Sequence, residues 1–259
     1  MLEPEIEPWI DQVHCGDALE LMQRMPAASV DLVVTSPPYN LRHNMGGFRE
    51  KKTQGGMWAG NGLVEGYDGY EDYMEPAEYM KWQRECIQAM LRLLRPGGAI
   101  FYNHKHRIQE KVLQDRYEIV KGFPVRQNII WDRCGGINFN KHYFVPMYEI
   151  IYLIATPEFR LKPKSWRWGD VWRMAPSRNP EHPAAFPLEL ARRCIESTYA
   201  EVVLDPFLGS GTTAVAAHQL ERHYIGLELS ARYCDLARQR LSRANPIENE
   251  QSLFGNNEV

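Results

Sequence analysis

Two short turns carry the residues best suited to chemistry. The first is Thr35-Ser36-Pro37-Pro38-Tyr39-Asn40, at the end of the apolar, β-branched run 30–35. Such a run reads as a buried strand, which places the turn at the strand's carboxyl end. Two consecutive prolines fix φ and remove two N–H donors, so the intervening carbonyls are rigidly aimed and unpaired by their own turn. Ser36 adds a hydroxyl acceptor and Tyr39 a flat π-face. An acceptor pair beside a stacking platform suits an aromatic amine that must give up hydrogen-bonded protons and gain a substituent.

The second turn lies in VVLDPFLGSGTTAVAAHQL, between an apolar strand and a helix. Gly209 and Gly211 permit positive φ and close approach of a ligand to the backbone. In open α/β sheets ligands bind beyond the carboxyl ends of the strands, where this turn would sit. No lysine follows Gly211, so the pattern is not a P-loop, and the spacing is not G-x-G-x-x-G. Asp205 at the strand end suits a cationic or hydroxyl-bearing ligand better than a pyrophosphate. Further on, YIGLELS ends another strand with Glu228, a carboxylate able to accept hydrogen bonds from both ribose hydroxyls of an adenosine moiety.

Strands and helices alternate around these turns. Helices are expected at 18–25, 76–94, 107–117, 188–197, 212–220 and 231–243, and strands at 30–35, 99–102, 126–131, 148–155, 202–204 and 224–227. The pattern predicts a mainly parallel sheet covered on both faces. The Gly-rich stretch 41–70 has few aliphatics and reads as a long mobile loop, of the kind that is usually functional in a compact domain. The polar tail 246–259 is expected to be disordered. The whole chain, 1–259, is expected to form a single catalytic domain.

A chain of 259 residues with a formal net charge of −3 has no basic coat, so any contact with a polyanion must use local clusters. Two clusters exist. Arg160, Lys162, Lys164, Arg167, Arg173 and Arg178 interleave with Phe159, Trp166, Trp168 and Trp172, and Arg42, His43, Arg49, Lys51 and Lys52 lie in the Gly-rich stretch. Solvated surface loops are the rival reading of both. Five scattered cysteines without a C-x-x-C pair argue against a disulfide framework and a zinc site. The acidic start is unlike a signal peptide, and no run is long and apolar enough to span a bilayer, so a cytoplasmic location is expected. His104-Lys105-His106 lacks Cys or Asp partners and reads as surface, and no metal is expected. Arg126, Trp131 and 139–144 suit a base pocket, a polyanion face, or a mixture of core and surface.

Together the segments resemble the β group of DNA amino-methyltransferases, in which the catalytic motif precedes the cofactor motif. TSPPYN is similar to the catalytic [DNS]-P-P-[YFW] motif, DPFLGSGTT to the methionine-binding motif, and GLELS to the ribose motif. CGDALELM is similar to the adenine-contacting segment and HPAAFP to the segment before the cofactor loop. The order is the family's, and the likeness runs from about residue 12 to 243.

The resemblance implies a Rossmann-like, S-adenosyl-L-methionine-dependent methyltransferase fold of about seven mainly parallel strands, circularly permuted. It implies a small target-recognition insert, here expected at 156–181, with loop 41–70 sharing its task. Ser36, Pro37, Pro38 and Tyr39 would be catalytic. The cofactor would be held by Asp17, Ala18, Ser36, His182, Phe186, Asp205, Pro206, Phe207, Gly209, Ser210, Gly211, Thr212, Glu228 and Leu229. Double-stranded DNA would meet Arg42, Lys51, Lys52, Arg160, Lys162, Lys164, Arg167 and Arg173. The implied activity is methyl transfer to an exocyclic amino group of a flipped-out base. Serine in the first motif position leans to N4 of cytosine, with N6 of adenine as the alternative. RNA or protein-glutamine methylation and non-catalytic DNA binding are more distant alternatives. A homodimer and a companion restriction endonuclease are the further partners that the family suggests.

Overall fold

The computed structural model describes residues 5–40, 74–109, 111–136, 141–176 and 186–245. Ten strands, β1 (Gln12–Cys15), β2 (Val30–Thr35), β3 (Leu94–His104), β4 (Arg107–Gln109), β5 (Val112–Gln114), β6 (Val125–Asp132), β7 (Tyr148–Ala155), β8 (Val171–Arg173), β9 (Val202–Asp205) and β10 (His223–Glu228), appear among them. They are joined by helices α1 (Ala18–Arg24), α2 (Pro76–Leu93), α3 (Tyr117–Val120), α4 (Leu188–Glu196), α5 (Thr212–Gln219) and α6 (Ala231–Leu241).

Eight strands form one sheet in the order β1-β10-β9-β2-β3-β7-β6-β8. β7 is antiparallel to β3 and β6, and the remaining pairings are parallel. The sheet is therefore the mainly parallel, Rossmann-like one expected, with eight strands. Its order is permuted: β2 comes early in the chain, yet it lies beside β9, with Leu32 opposite Val203 and Val33 opposite Leu204.

Side-chain alternation along the strands fills both faces. Ile100 and Tyr102 of β3 join Met22 of α1 and Ile87 and Met90 of α2 on one face. Ala99 and Phe101 join Leu190 and Cys194 of α4 and Ala216 of α5 on the other. Strands buried on both faces are apolar throughout, which is why VDLVVT and YEIIYLIA were readable as strands. Among the described residues no helix is long and apolar enough to cross a membrane.

Three expectations are corrected. The segment 107–117 is not a helix: β4 and β5 pair as a hairpin with Ile108 opposite Leu113, turning near Lys111 at positive φ. Ile108, Val112 and Leu113 have helical spacing, but Val112 and Leu113 stay more than half exposed, so no core supports a helix there. Second, the insert at 156–181 is partly integral to the sheet. β8 pairs with β6, and Trp172 is buried beside Phe101 and Trp131. Third, His104 is not surface but buried at the end of β3. The strand β1 was not anticipated, since QVHC contains one buried residue and gains its place only by pairing with β10. The stretch 41–70 and the tail 246–259 lie outside the described residues.

Candidate active site

Both turns emerge at the carboxyl edge of the parallel strands, and one carboxylate joins them. Thr35 Oγ1 at the end of β2 donates to Asp205 Oδ1 at 2.7 Å, and Thr213 Oγ1 at the start of α5 donates to Asp205 Oδ2 at 2.7 Å. The Phe207 N–H adds a third bond at 3.1 Å. Burial pushes the Asp205 carboxyl up to about 6, although the Thr213, Thr35 and Phe207 donors each pull it down. Asp205 thus faces inward and ties the two turns together.

In the first turn Ser36 Oγ and Tyr39 OH lie 2.6 Å apart. Tyr39 OH donates to Glu149 Oε2 at 3.1 Å. The Asn103 amide donates to the same carboxylate oxygen at 2.8 Å and reaches Tyr39 OH at 2.9 Å and Ser36 Oγ at 3.3 Å. Arg133 pairs with Glu149 Oε1 at 3.3 Å. Behind the turn, Tyr79 and Gln83 of α2 both donate to the Pro38 carbonyl, at 2.9 and 3.3 Å. No donor among the described residues reaches the Pro37 carbonyl. One face of the Tyr39 ring stacks on His104, with centroids 4.9 Å apart, and the imidazole meets Tyr79 OH at 2.8 Å. Asn40, at positive φ, closes the turn by exchanging two hydrogen bonds with the backbone of Met74.

The second turn is shaped by Gly209 and Gly211 at φ +53° and +88°. A Cβ on Gly211 would lie 2.9 Å from the Cβ of Ala237, so α6 packs against bare backbone there. Glu228 receives the Gly209 N–H on Oε2 at 2.7 Å and the Ser230 N–H on Oε1 at 2.8 Å. Burial raises its carboxyl above the usual range while those N–H groups oppose the shift. Arg240 donates to the Ser210 carbonyl and hydroxyl and reaches Thr212 Oγ1. Asp17 caps α1 by accepting from Leu19 and Glu20, and the Gly16 N–H donates to the Glu228 carbonyl, so the two segments abut. Ala18 and Pro206 are buried, Phe207 packs against Trp82, and Leu229 is exposed.

These residues fit S-adenosyl-L-methionine. A carboxylate offers about four acceptor positions, and Glu228 meets the Gly209 N–H on Oε2 and the Ser230 N–H on Oε1, with the Leu229 N–H also acting on it, so acceptor capacity remains for a ribose hydroxyl. Phe186 is buried in the core cluster with Leu190 and Phe101. His182 lies outside the described residues.

The basic residues divide. Arg42, Lys51 and Lys52 lie outside the described residues. Lys162 sits at the opposite, amino edge of the sheet. Its N–H bonds the Ser197 carbonyl and its ammonium lies over Tyr199, in the segment leading into β9. Arg160 binds the carbonyls of Pro157 and Phe159, where the Thr156 N–H meets the Gly98 carbonyl. Lys164 caps the 3-10 turn that follows, and Arg167 lies within it. Arg173, ending β8, is on the edge of the two turns and pairs with Asp132 at 2.9 Å. Trp131 donates to the Met174 carbonyl within the core, and Arg126 bonds the Thr156 carbonyl at the amino edge. Among the described residues no group of three or more His, Cys, Asp or Glu could hold a metal ion.

Sequence reasoning missed Glu149, Asn103, Tyr79 and Arg133. A signal was present: Glu149 is the one charge in YEIIYLIA, and Asn103-His104 ends the apolar run AIFYNH. Charged and amide groups inside buried strands need partners.

The DNA methylase family matches residues 30–239 of the chain. The type II methyltransferase M.BglII of Bacillus subtilis is 28% identical, with 93% of this chain and 71% of that protein aligned. The type II methyltransferase M.HinfI of Haemophilus influenzae is 25% identical over 98% of this chain and 74% of that protein. TTHA0409 of Thermus thermophilus, described as a DNA modification methylase and solved in complex with S-adenosyl-L-methionine, superposes with a TM-score of 0.63. It is 27% identical, and the alignment covers 91% of this chain and 94% of that one. The cytosine-N4-specific PvuII DNA methyltransferase shares the fold at a TM-score of 0.68 and 19% identity, over 93% and 87% of the two chains.

Proposed function

Because the chain belongs to the DNA methylase family, and so transfers methyl groups from S-adenosyl-L-methionine to DNA, we propose that its acceptor is the exocyclic amino group of a flipped-out base, N4 of cytosine before N6 of adenine. The observation that carries this reading is the bond between Thr35 and Asp205, which brings an acceptor-lined turn and a glycine turn to one sheet edge.

S-adenosyl-L-methionine, when bound, supplies an electrophilic methyl carbon on a sulfonium. Glu228 would hold its ribose hydroxyls, the turn 209–212 its methionine portion, and Asp17 with Ala18 its adenine. An exocyclic amine is a poor nucleophile because its lone pair is conjugated with the ring. Ser36 Oγ and the Pro37 carbonyl, accepting its two hydrogens, favour a pyramidal nitrogen whose lone pair is free to attack. Among the described residues no donor competes for the Pro37 carbonyl, whereas the Pro38 carbonyl is occupied by Tyr79 and Gln83. His104, stacked on Tyr39, steadies that ring as the platform on which the extruded base would lie. Extrusion costs a few kcal/mol, offset by stacking and phosphate contacts.

The serine of Ser36-Pro37-Pro38-Tyr39 supports cytosine, following the family's leaning. DNA as direct partner and a cytoplasmic location belong to the same reading. Type II relatives support a companion endonuclease. The test is transfer of tritiated methyl to DNA, followed by digestion to nucleosides and mass spectrometry. N4-methylcytosine is expected. N6-methyladenine would overturn the base assignment, and unlabelled DNA would overturn the reading itself.

A further inference from the structure

Among the described residues Glu149 is the one acid hydrogen-bonded to the Ser36 turn on its acceptor side, and its placement follows from strand register. β7 runs antiparallel to β3, with Asn103 opposite Ile151, so Glu149 projects two residues nearer the catalytic edge. It is 6% exposed. A buried carboxylate needs charge and hydrogen-bond partners, and Glu149 has Arg133 on Oε1 and both Tyr39 and Asn103 on Oε2.

These partners set the direction of every hydroxyl in the cluster. An ionised carboxylate only accepts, and the Asn103 amide nitrogen only donates. The Tyr39 proton therefore points to Glu149, and the Tyr39 oxygen accepts from Ser36 at 2.6 Å. With its own hydrogen committed to Tyr39 and one lone pair facing the Asn103 amide at 3.3 Å, Ser36 Oγ keeps the other lone pair for an incoming donor. Turning the Asn103 amide over would set its oxygen against the Glu149 carboxylate, so the arrangement resists inversion. An ion pair with Arg133 alone would require none of these contacts.

Building on the amine chemistry proposed above, we infer that Glu149 is a positioning residue that orients the Ser36 and Tyr39 hydroxyls and, through them, receives the proton the methylated nitrogen releases. As the nitrogen–carbon bond forms, the carbon–sulfur pair leaves with sulfur and the nitrogen becomes cationic. One N–H bond then breaks, its electrons remaining on nitrogen. Ser36 Oγ takes that proton while passing its own to Tyr39, and Tyr39 passes its own to Glu149 Oε2. The neutral acid returns the proton to water after release.

Among the described residues the charged and titratable groups that meet Glu149 are Arg133, just past β6, and Tyr39 from the turn after β2. One step further out are His104, stacked on Tyr39, and the edge-on pair of His106 and Tyr148. Asp205 lies on the other side of the turn, bonded to Thr35.

The test is single-turnover transfer from tritiated S-adenosyl-L-methionine to unmethylated, high-complexity genomic DNA across about pH 4 to 9, with cofactor affinity measured alongside. Glu149→Gln is expected to bind the cofactor normally, to slow transfer by about 100-fold, and to lose the fall in rate on the acid side. Glu149→Asp should restore part of the rate together with that acid limb. An acid limb that survives in Glu149→Gln belongs to another group, Asp205 foremost, and overturns the inference, as does a near-wild-type rate. Should Glu149→Gln fail to fold, Tyr39→Phe decides: it removes one oxygen, and an unchanged rate and pH profile there overturn the relay. A wild-type chain that labels no DNA at any pH would instead overturn the underlying reading.

Discussion

Thr35 and Asp205, 170 residues apart in the chain, end adjacent strands and share a 2.7 Å hydrogen bond. The bond makes the carboxylate a fastener between the turn proposed to face the base and the turn proposed to face the cofactor. Thr213 and the Phe207 N–H complete the fastening from the other side.

Asp205 makes stability depend on pH in a specified direction. Its folded carboxyl is raised to about 6 from an ordinary value of 3.8, chiefly by burial. A raised acid contributes stability below the unfolded value and loses it as pH climbs through the folded one. The loss is on the order of 3 kcal/mol between about pH 4 and pH 7. Asp205→Asn cannot ionise, so its stability relative to wild type should improve by that amount over the window. Urea midpoints measured pH by pH check this, and a constant difference would refute it.

Asp205→Ala is a different case. It strands the buried Thr35 hydroxyl and the Phe207 N–H, each at about 1–3 kcal/mol, while the Thr213 hydroxyl keeps the Val34 carbonyl at 3.1 Å. The expected outcome is marked destabilisation together with weaker cofactor binding by calorimetry, since the glycine turn loses its anchor.

Ser36→Ala removes one acceptor from the amine and the first hydroxyl of the chain to Glu149. Losing a preorganised polar partner typically costs about 2.7–4 kcal/mol in the barrier, which is roughly a 100-fold or greater fall in rate. Rapid-quench transfer assays would show near-wild-type turnover if the assignment were wrong.

Gly211→Ala tests the packing beneath the cofactor turn. The residue sits at φ +88°, and the added carbon would meet Ala237 at 2.9 Å. Left-handed backbone costs an L-residue about 1–2 kcal/mol and overpacking about 1–3 more. Guanidinium denaturation should register a loss of that size, and calorimetry a weaker cofactor complex.

Lys162 lies at the edge away from Ser36, held over Tyr199. A side chain that neutralises a DNA phosphate contributes about 0.9 to the slope of log K against log salt. Lys162→Ala should therefore leave both DNA affinity and its salt dependence unchanged. Anisotropy titrations at several salt concentrations would expose a contribution that the sheet topology argues against.

What could be read from the chain alone was what local chemistry dictates. Val30–Thr35 is apolar and ends at two prolines, and Val202–Asp205 is apolar and ends at a glycine turn, so both strand ends announced themselves. Tyr148–Ala155 was legible to the residue. What stayed hidden depends on partners. Glu149 is meaningful only because antiparallel pairing sets it near Asn103 and Tyr39. Likewise β8 is three residues long and exists through β6. The basic, tryptophan-rich run looked uniform in composition, but the sheet divides it between two edges.

The pairing of β1 with β10 has a consequence for synthesis on the ribosome. Asp11 bonds the backbone of Tyr224, 213 residues later, and β2 waits almost as long for β9. Contacts of such sequence separation form late and slowly. The half that carries the proposed base-binding turn is translated first but stays without its neighbour until the final strands leave the exit tunnel. A nascent or prematurely terminated polypeptide therefore holds the TSPPYN segment without a methyl donor beside it, and competence arrives only with translation of the last helix.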